Sequence, residues 1–174
     1  MSFDYQPTLS GKLITLRPLQ PDDFEALYAV ASDPLIWQQH PKSDRCHRDV
    51  FTQFFDDAIT SGGALLVLDN ATGAVIGSSR FHDHDEEQSE VELGWTFLAR
   101  SHWGGQYNGE MKRLMLEHAF QFVRHVILLI APENQRSRRA AEKIGAIQSG
   151  TRPINDGSEH LVYRISRGAR DRSG

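Results

Sequence analysis

The chain has 174 residues, a net charge of −4 and 24% charged residues of mixed sign, so it is sized for one domain with a real core and lacks the basic field that nucleic-acid binding requires. Its lone cysteine, Cys46, excludes an internal disulfide and suits a reducing compartment. The longest purely apolar run, Val126 to Ala131, is far too short to span a bilayer, and the first residues form neither a basic nor an apolar leader, so a cytoplasmic protein with no membrane or nucleic-acid partner is expected.

Leu13 to Leu16 reads as a first strand. Pro21, Asp22 and Asp23 then open a helix, with proline and acids where the helix dipole favours them, and Phe24, Leu27, Tyr28 and Val30 form its apolar face. The segment 35–47 is irregular and carries Trp37, His40 and Pro41. A second helix follows from Arg48 to about Ile59, with Phe51, Phe54 and Phe55 on one face, and Gly62-Gly63 stops it. Residues 64–68 and 74–81 make a hairpin across Asn70-Ala71-Thr72-Gly73. His82 to Glu87 contains metal-ligand residue types but reads as a solvated hairpin turn, since no distant histidine or cysteine completes a site; no metal is expected.

The rest is organised around Ser89 to Arg124. Val91, Leu93, Trp95 and Phe97 alternate with Glu90, Glu92 and Thr96, which predicts a strand with the two sets on opposite sides. Met111, Leu114, Met115, His118 and Phe122 recur at helical spacing. A glycine-rich turn joins them, leaving the first N–H groups of the helix without partners and able to hold a phosphate or pyrophosphate. Gly104-Gly105-Gln106-Tyr107-Asn108-Gly109 has neither the glycine spacing of a dinucleotide-binding turn nor the Gly-Lys-Ser/Thr of a P-loop. Residues 126–131 read as a strand covered on both faces, Asn134 caps a short helix 135–144 ended by Gly145, and 147–154 with 160–166 make a final hairpin about Asn155–Ser158. Residues 1–166 thus read as one α/β (α+β) domain with a mixed seven-stranded sheet flanked by helices on both faces, and 167–174, with no large apolar residue, as a disordered tail.

Glu92-Leu93-Gly94-Trp95, Trp103-Gly104-Gly105-Gln106-Tyr107-Asn108, Pro132-Glu133-Asn134 and Ser137 through Ala140-Ala141-Glu142-Lys143-Ile144-Gly145-Ala146 follow one another in an order that resembles the GNAT acyl-CoA N-acyltransferases, most nearly the ribosomal-protein N-terminal acetyltransferase branch. The resemblance covers about 13–165. It implies a sheet splayed between the organising strand and the strand after the long helix, with acetyl-CoA as cosubstrate in the gap. Backbone at Phe97 and Leu98 would bind the pantetheine arm. The loop Trp103, Gly104, Gly105, Gln106, Tyr107, Asn108 and Gly109 would bind the pyrophosphate, with Asn134 and Arg138 completing the coenzyme site. Gln106 and Asn108 stand where the family prefers glycine or alanine, so either side chain can crowd the phosphates or donate to them.

The resemblance also implies Glu92 as general base, directly or through a water, with Glu90 as its understudy. Ser137, beside Asn134, would act near the sulfur, because the tyrosine many members use is Ala141 here. Trp37, His40, Glu90 and Asp156 would line the acceptor pocket, whose acids suit a cationic amine. Protein N-terminus and small-molecule amine both remain open as acceptor, monomer and homodimer as assembly, and a non-catalytic acyl-CoA-binding module as alternative function.

Overall fold

The computed structural model describes residues 2–168. Its strands are β1 Leu9–Ser10, β2 Ile14–Pro18, β3 Ala64–Asp69, β4 Val75–Asp85, β5 Glu90–Leu98, β6 His125–Ile130, β7 Ile147–Pro153 and β8 Glu159–Ser166. They form one eight-stranded sheet in the order β1-β2-β3-β4-β5-β6-β8-β7. Every neighbouring pair is antiparallel except β5 and β6. The strand beyond the expected seven is β1, which at two residues is too short to carry a period. β4 also runs past the expected turn, because His82 still pairs with Glu92.

The helices are α1 Phe24–Ala31, α2 Arg48–Ser61, α3 Gln106–Ala119 and α4 Gln135–Lys143. Each face of the sheet buries its own cluster. One takes Leu16, Leu65, Val91, Leu93, Met111 and Met115, and the other takes Leu27, Phe51, Phe54, Phe55, Leu66 and Phe97. Alternation sends Leu65 to the first and Leu66 to the second, and each such side chain removed from water contributes about 1.5–3 kcal/mol. Among the described residues no helix is long and apolar enough to cross a membrane.

Alternation fails in the second half of β5. Val91 and Leu93 face α3, whereas Phe97 packs with α1 and α2. The cause is a bulge: Trp95 has φ 51°, and between the pairs Arg80–Gly94 and Ser78–Phe97 β5 holds one residue more than β4. The expected single face of Val91, Leu93, Trp95 and Phe97 is therefore corrected; Trp95 and Phe97 lie opposite Val91 and Leu93. A tryptophan at positive φ is strained by about 1–3 kcal/mol. Contacts to the ring oppose that strain, with the Arg80 guanidinium 4.3 Å over the Trp95 ring and the His82 ring edge-to-face with it at 5.2 Å.

α3 also starts at Gln106, earlier than the glycine turn suggested. Its first turn is braced to β2. The Glu110 carboxylate accepts from the N–H groups of Lys12, Leu13 and Ile14 at 2.9, 2.6 and 2.9 Å, and a Cβ at Gly11 would lie 2.6 Å from that carboxyl carbon. Of the tail expected over 167–174, residues 169–174 lie outside the described residues, while the Arg167 N–H donates to Arg124 O at 2.8 Å.

Candidate active site

The pairing of β5 with β6 covers only Glu90–His125, Val91–Val126 and Glu92–Ile127. Beyond Glu92 the strands part, although β6 stays paired to β8 through Ile130 and β5 to β4 through Leu98. Successive strand residues point their N–H and C=O groups to alternate sides, so part of the Gly94–Leu98 backbone faces the gap without a strand partner. A cleft of about 760 Å³ fills this gap, floored by Leu128 to Ala131 and bounded by Trp37, Phe97, Leu98, the Gly104–Gly105 turn and α4.

At one end of the cleft lies the N-terminus of α3. Gly104 and Gly105 have φ 117° and 105°, a region that suits glycine, and Gly105 is the N-cap residue without a side-chain cap. The amides of Gln106, Tyr107 and Asn108 are therefore left free by the helix, with the positive end of its dipole behind them. Gly109 N–H is already committed, donating to Gly105 O at 2.7 Å, so the anion-binding stretch is shorter than expected. The positions that need glycine are Gly104 and Gly105. Gln106 and Asn108 are helical, with Gln106 exposed and Asn108 on the cleft wall.

Trp103 is 39% exposed, and its indole N–H donates to Leu98 O at 2.9 Å. The Arg136 guanidinium stacks 4.1 Å over its ring and donates to Ile36 O at 2.7 Å, tying α4 to both sides of the cleft mouth. Tyr107 is not on the cleft wall; it meets His102 edge-to-face at 4.6 Å and packs against the core. Arg138 also turns away, donating to Tyr163 Oη at 3.2 Å and Pro132 O at 3.0 Å, whereas Arg139 and Lys143 line the cleft.

Asn134 and Ser137 come together on the cleft wall, with Ser137 N–H donating to Asn134 Oδ1 at 3.3 Å as the α4 cap. Glu92 is half-buried just before the strands part, next to the wall residues Leu93 and Gly94 but not itself on the wall. Burial, and then the nearby Asp83 charge, raise its carboxyl to about 7, against the opposing pull of Arg152 and Arg80. It is thus poised to exchange a proton near neutrality.

Trp37 is 2% exposed, donates its indole N–H to Ala31 O at 2.9 Å, and lies 5.0 Å from the Phe97 ring. His40 lines the cleft, and burial with the charges of Arg45, His160, Lys42 and Arg136 lowers it to about 3, so it is neutral at physiological pH. Asp156 is exposed on the β7–β8 turn, away from the cleft wall, and its carboxyl is lowered by hydrogen bonds from Ser158. Glu90 does not face an acceptor. It is 4% exposed and its two oxygens accept from Arg152 at 3.3 Å and Arg164 at 2.8 Å, so it is an internal ion-pair centre.

Three cations went unrecognised in the sequence. Lys112 is 5% exposed on the cleft side of α3, and its ammonium donates to Thr96 Oγ1 at 2.8 Å. Burial pushes its amine down to about 7. The signal was its place one turn after Asn108. Arg80 is 6% exposed on β4, and Arg45 stands on the cleft wall. A charged residue at an inward position of an alternating strand was the available sign for Arg80.

A sequence model of the acetyltransferase (GNAT) domain matches residues 14–147. The chain belongs to the GNAT acetyltransferase family. Its members are acyltransferases, and the matched span takes in the gap, the α3 N-terminus, Glu92, Asn134 and Ser137. The uncharacterised protein YkkB of Bacillus subtilis (strain 168) is 39% identical over 90 residues, which are 49% of this GNAT chain and 51% of that relative. The chain thus spans about half the length of the curated relative it matches. A probable GNAT-family acetyltransferase from Chromobacterium violaceum ATCC 12472 shares the fold at TM-score 0.84 and 18% identity, over 98% of this chain and 91% of that one. Spermidine N-acetyltransferase from Vibrio cholerae, solved with CoA and spermine, shares it at TM-score 0.68 and 15% identity, over 91% and 98%.

Proposed function

We propose that this GNAT domain transfers an acetyl group from acetyl-CoA to a primary amine by direct attack of the amine on the thioester. The reading is carried by one juxtaposition: the β5 edge left unpaired by β6 starts at a carboxylate titrating near 7 and leads to the free amides of α3. The diphosphate is held by the amides of Gln106, Tyr107 and Asn108. Arg139 and Lys143, rather than Arg138, serve its outer phosphates. The pantetheine arm lies along Phe97 and Leu98, where Trp103 already occupies one carbonyl.

In the reaction, Glu92 takes a proton from the ammonium of the acceptor through a water, because its side chain stands behind the cleft wall. The amine nitrogen then attacks the carbonyl carbon, and main-chain N–H groups of the gap edge receive the oxyanion. Collapse breaks the C–S bond, the nitrogen gives up its second proton to solvent, and the Ser137 hydroxyl donates a proton to the leaving sulfur and is reprotonated from solvent. The products are the N-acetylated amine and the free thiol of the coenzyme. The Vibrio cholerae relative supports an amine acceptor, and Asn134 with Ser137 support the likeness to the ribosomal-protein branch.

Thiol release from acetyl-CoA over a panel of amines tests this. Amine-dependent release should rise with pH through about 7, and Glu92→Gln should remove that rise and lower the rate by about 10²–10⁴. Tight acetyl-CoA binding without transfer to any amine would favour a non-catalytic acyl-CoA-binding module instead.

A further inference from the structure

The described residues that line the cleft include Arg45, Lys112, Arg136, Arg139 and Lys143 but no aspartate or glutamate. Two of the cations at the His40 end have no carboxylate within ion-pair distance among the described residues: Arg80 feels Asp57 and Glu92, and Arg45 feels Asp44, only from farther away. The Arg80 guanidinium makes no hydrogen bond to any described residue, and its Nε is sealed from solvent without a partner. Arg45 finds only the Nε2 of His40, at 3.4 Å, and that imidazole is neutral. No ion pair among the described residues includes either arginine.

Arg45 and Arg80 share one support. Their guanidinium carbons lie 4.6 and 5.8 Å from the Phe54 ring, and Arg80 also covers the Trp95 ring that borders the cleft. Burial lowers both guanidinium groups to about 10, and Arg80 adds to the lowering of Arg45, so both stay protonated near neutrality. The chain does pair buried charge elsewhere: Glu90 receives two arginines. Two neighbouring guanidinium groups held on aromatic faces without an ion-pair partner suit an oxyanion, since the fork geometry of arginine matches carboxylate and phosphate. A cationic acceptor would instead meet like charges in a water-poor site.

We propose that Arg45 on the cleft wall, with Arg80 behind it against Trp95, forms an anion-binding subsite, so that the amine acetylated here carries a carboxylate or phosphate group. The inference rests on the acyl-transfer reading above and narrows its acceptor. The oxyanion docks at the arginines while the amine is directed toward Glu92, whose charge is already felt by Arg80.

The test uses the full chain and primary amines sharing one aminoethyl skeleton: β-alanine, O-phosphoethanolamine, ethanolamine, whose second group is an uncharged hydroxyl, and ethylenediamine, whose second group is a further amine. The expected result is a kcat/KM for the better of the two anionic amines at least about 10-fold above ethanolamine, with ethylenediamine lowest. Which anion leads distinguishes a carboxylate from a phosphate acceptor. Arg45→Met and Arg80→Met should each erase about 10-fold of that preference through KM. Because Arg80 is buried, thermal unfolding of both variants is measured alongside, and Arg45, half-exposed, carries the test if Arg80→Met fails to fold. Transfer that favours ethylenediamine, or that ignores acceptor charge, overturns the subsite and leaves acyl transfer standing. If no amine is acetylated, acyl transfer fails, and the subsite is then read directly. Inorganic phosphate or acetate, against chloride at equal ionic strength, should raise the unfolding temperature of the wild type more than that of Arg45→Met. An equal rise in both overturns it.

Discussion

Replacing Lys112 by methionine should stabilise the protein, and the size of the effect follows from where its amine sits. Burial moves that amine from 10.5 to about 7. At ~1.36 kcal/mol for each tenfold change in proton affinity, this penalises the folded ammonium by about 5 kcal/mol. Methionine has a similar reach without the charge. It gives up the hydrogen bond to Thr96, worth about 1 kcal/mol, while Thr96 keeps the Ser79 hydroxyl at 2.8 Å. Allowing for relaxation around the wild-type ammonium, the variant should gain about 2–4 kcal/mol near pH 6. The sign of the pH dependence is fixed. Below about 7 the lysine is charged in both states and the penalty is complete. Between about 7 and 10.5 the unfolded chain binds a proton that the folded chain lacks, so wild-type stability rises with pH relative to the variant. Urea unfolding of both proteins at about pH 6 and about pH 9.5 measures this. A variant less stable than wild type at the lower pH, or a difference that does not shrink at the higher, would refute a buried, proton-poor lysine.

Glu90→Gln should lower stability by about 2–3 kcal/mol, less than a fully buried ion pair loses because Arg152 and Arg164 are partly exposed. Amine KM should stay near wild type, and a large rise would return Glu90 to the acceptor pocket. Gly105→Ala places a Cβ in open space but at φ 105°, so it should destabilise by about 1–3 kcal/mol and weaken coenzyme A binding, read by urea unfolding and calorimetric titration. Gly109→Ala, at an ordinary helical position with open space around it, should instead stabilise by up to about 1 kcal/mol.

The layered α/β domain could be read from local periodicity because most buried faces keep it. Leu65 and Leu66 go to opposite cores as alternation requires, and the phenylalanines of α2 face inward together. Glycines behaved likewise: Gly62 takes φ 71° to end α2, as Gly62-Gly63 suggested. What escaped depends on contacts distant in sequence. The Trp95 bulge shows only in pairing with β4, and it reversed the facing of Trp95 and Phe97. Glu90 reads from the sequence as an acceptor-pocket carboxylate and understudy base, whereas Arg152 and Arg164, on β7 and β8, close over it. The acidic character expected from Glu90, Glu92 and the nearby turn is not what lines the cleft: among the described residues its wall carries Arg45, with Arg80 against Trp95, and no aspartate or glutamate. Glu92, Asn134 and Ser137 were singled out from motif order, and the structure sets Asn134 and Ser137 on the cleft wall with Glu92 just behind it.

The most direct test of the account is a crystal structure of the chain with coenzyme A. The account predicts the diphosphate against the amides of Gln106, Tyr107 and Asn108, with the pantetheine arm between β5 and β6. A coenzyme bound outside that gap, or side chains of Gln106 and Asn108 folded over those amides, would contradict it.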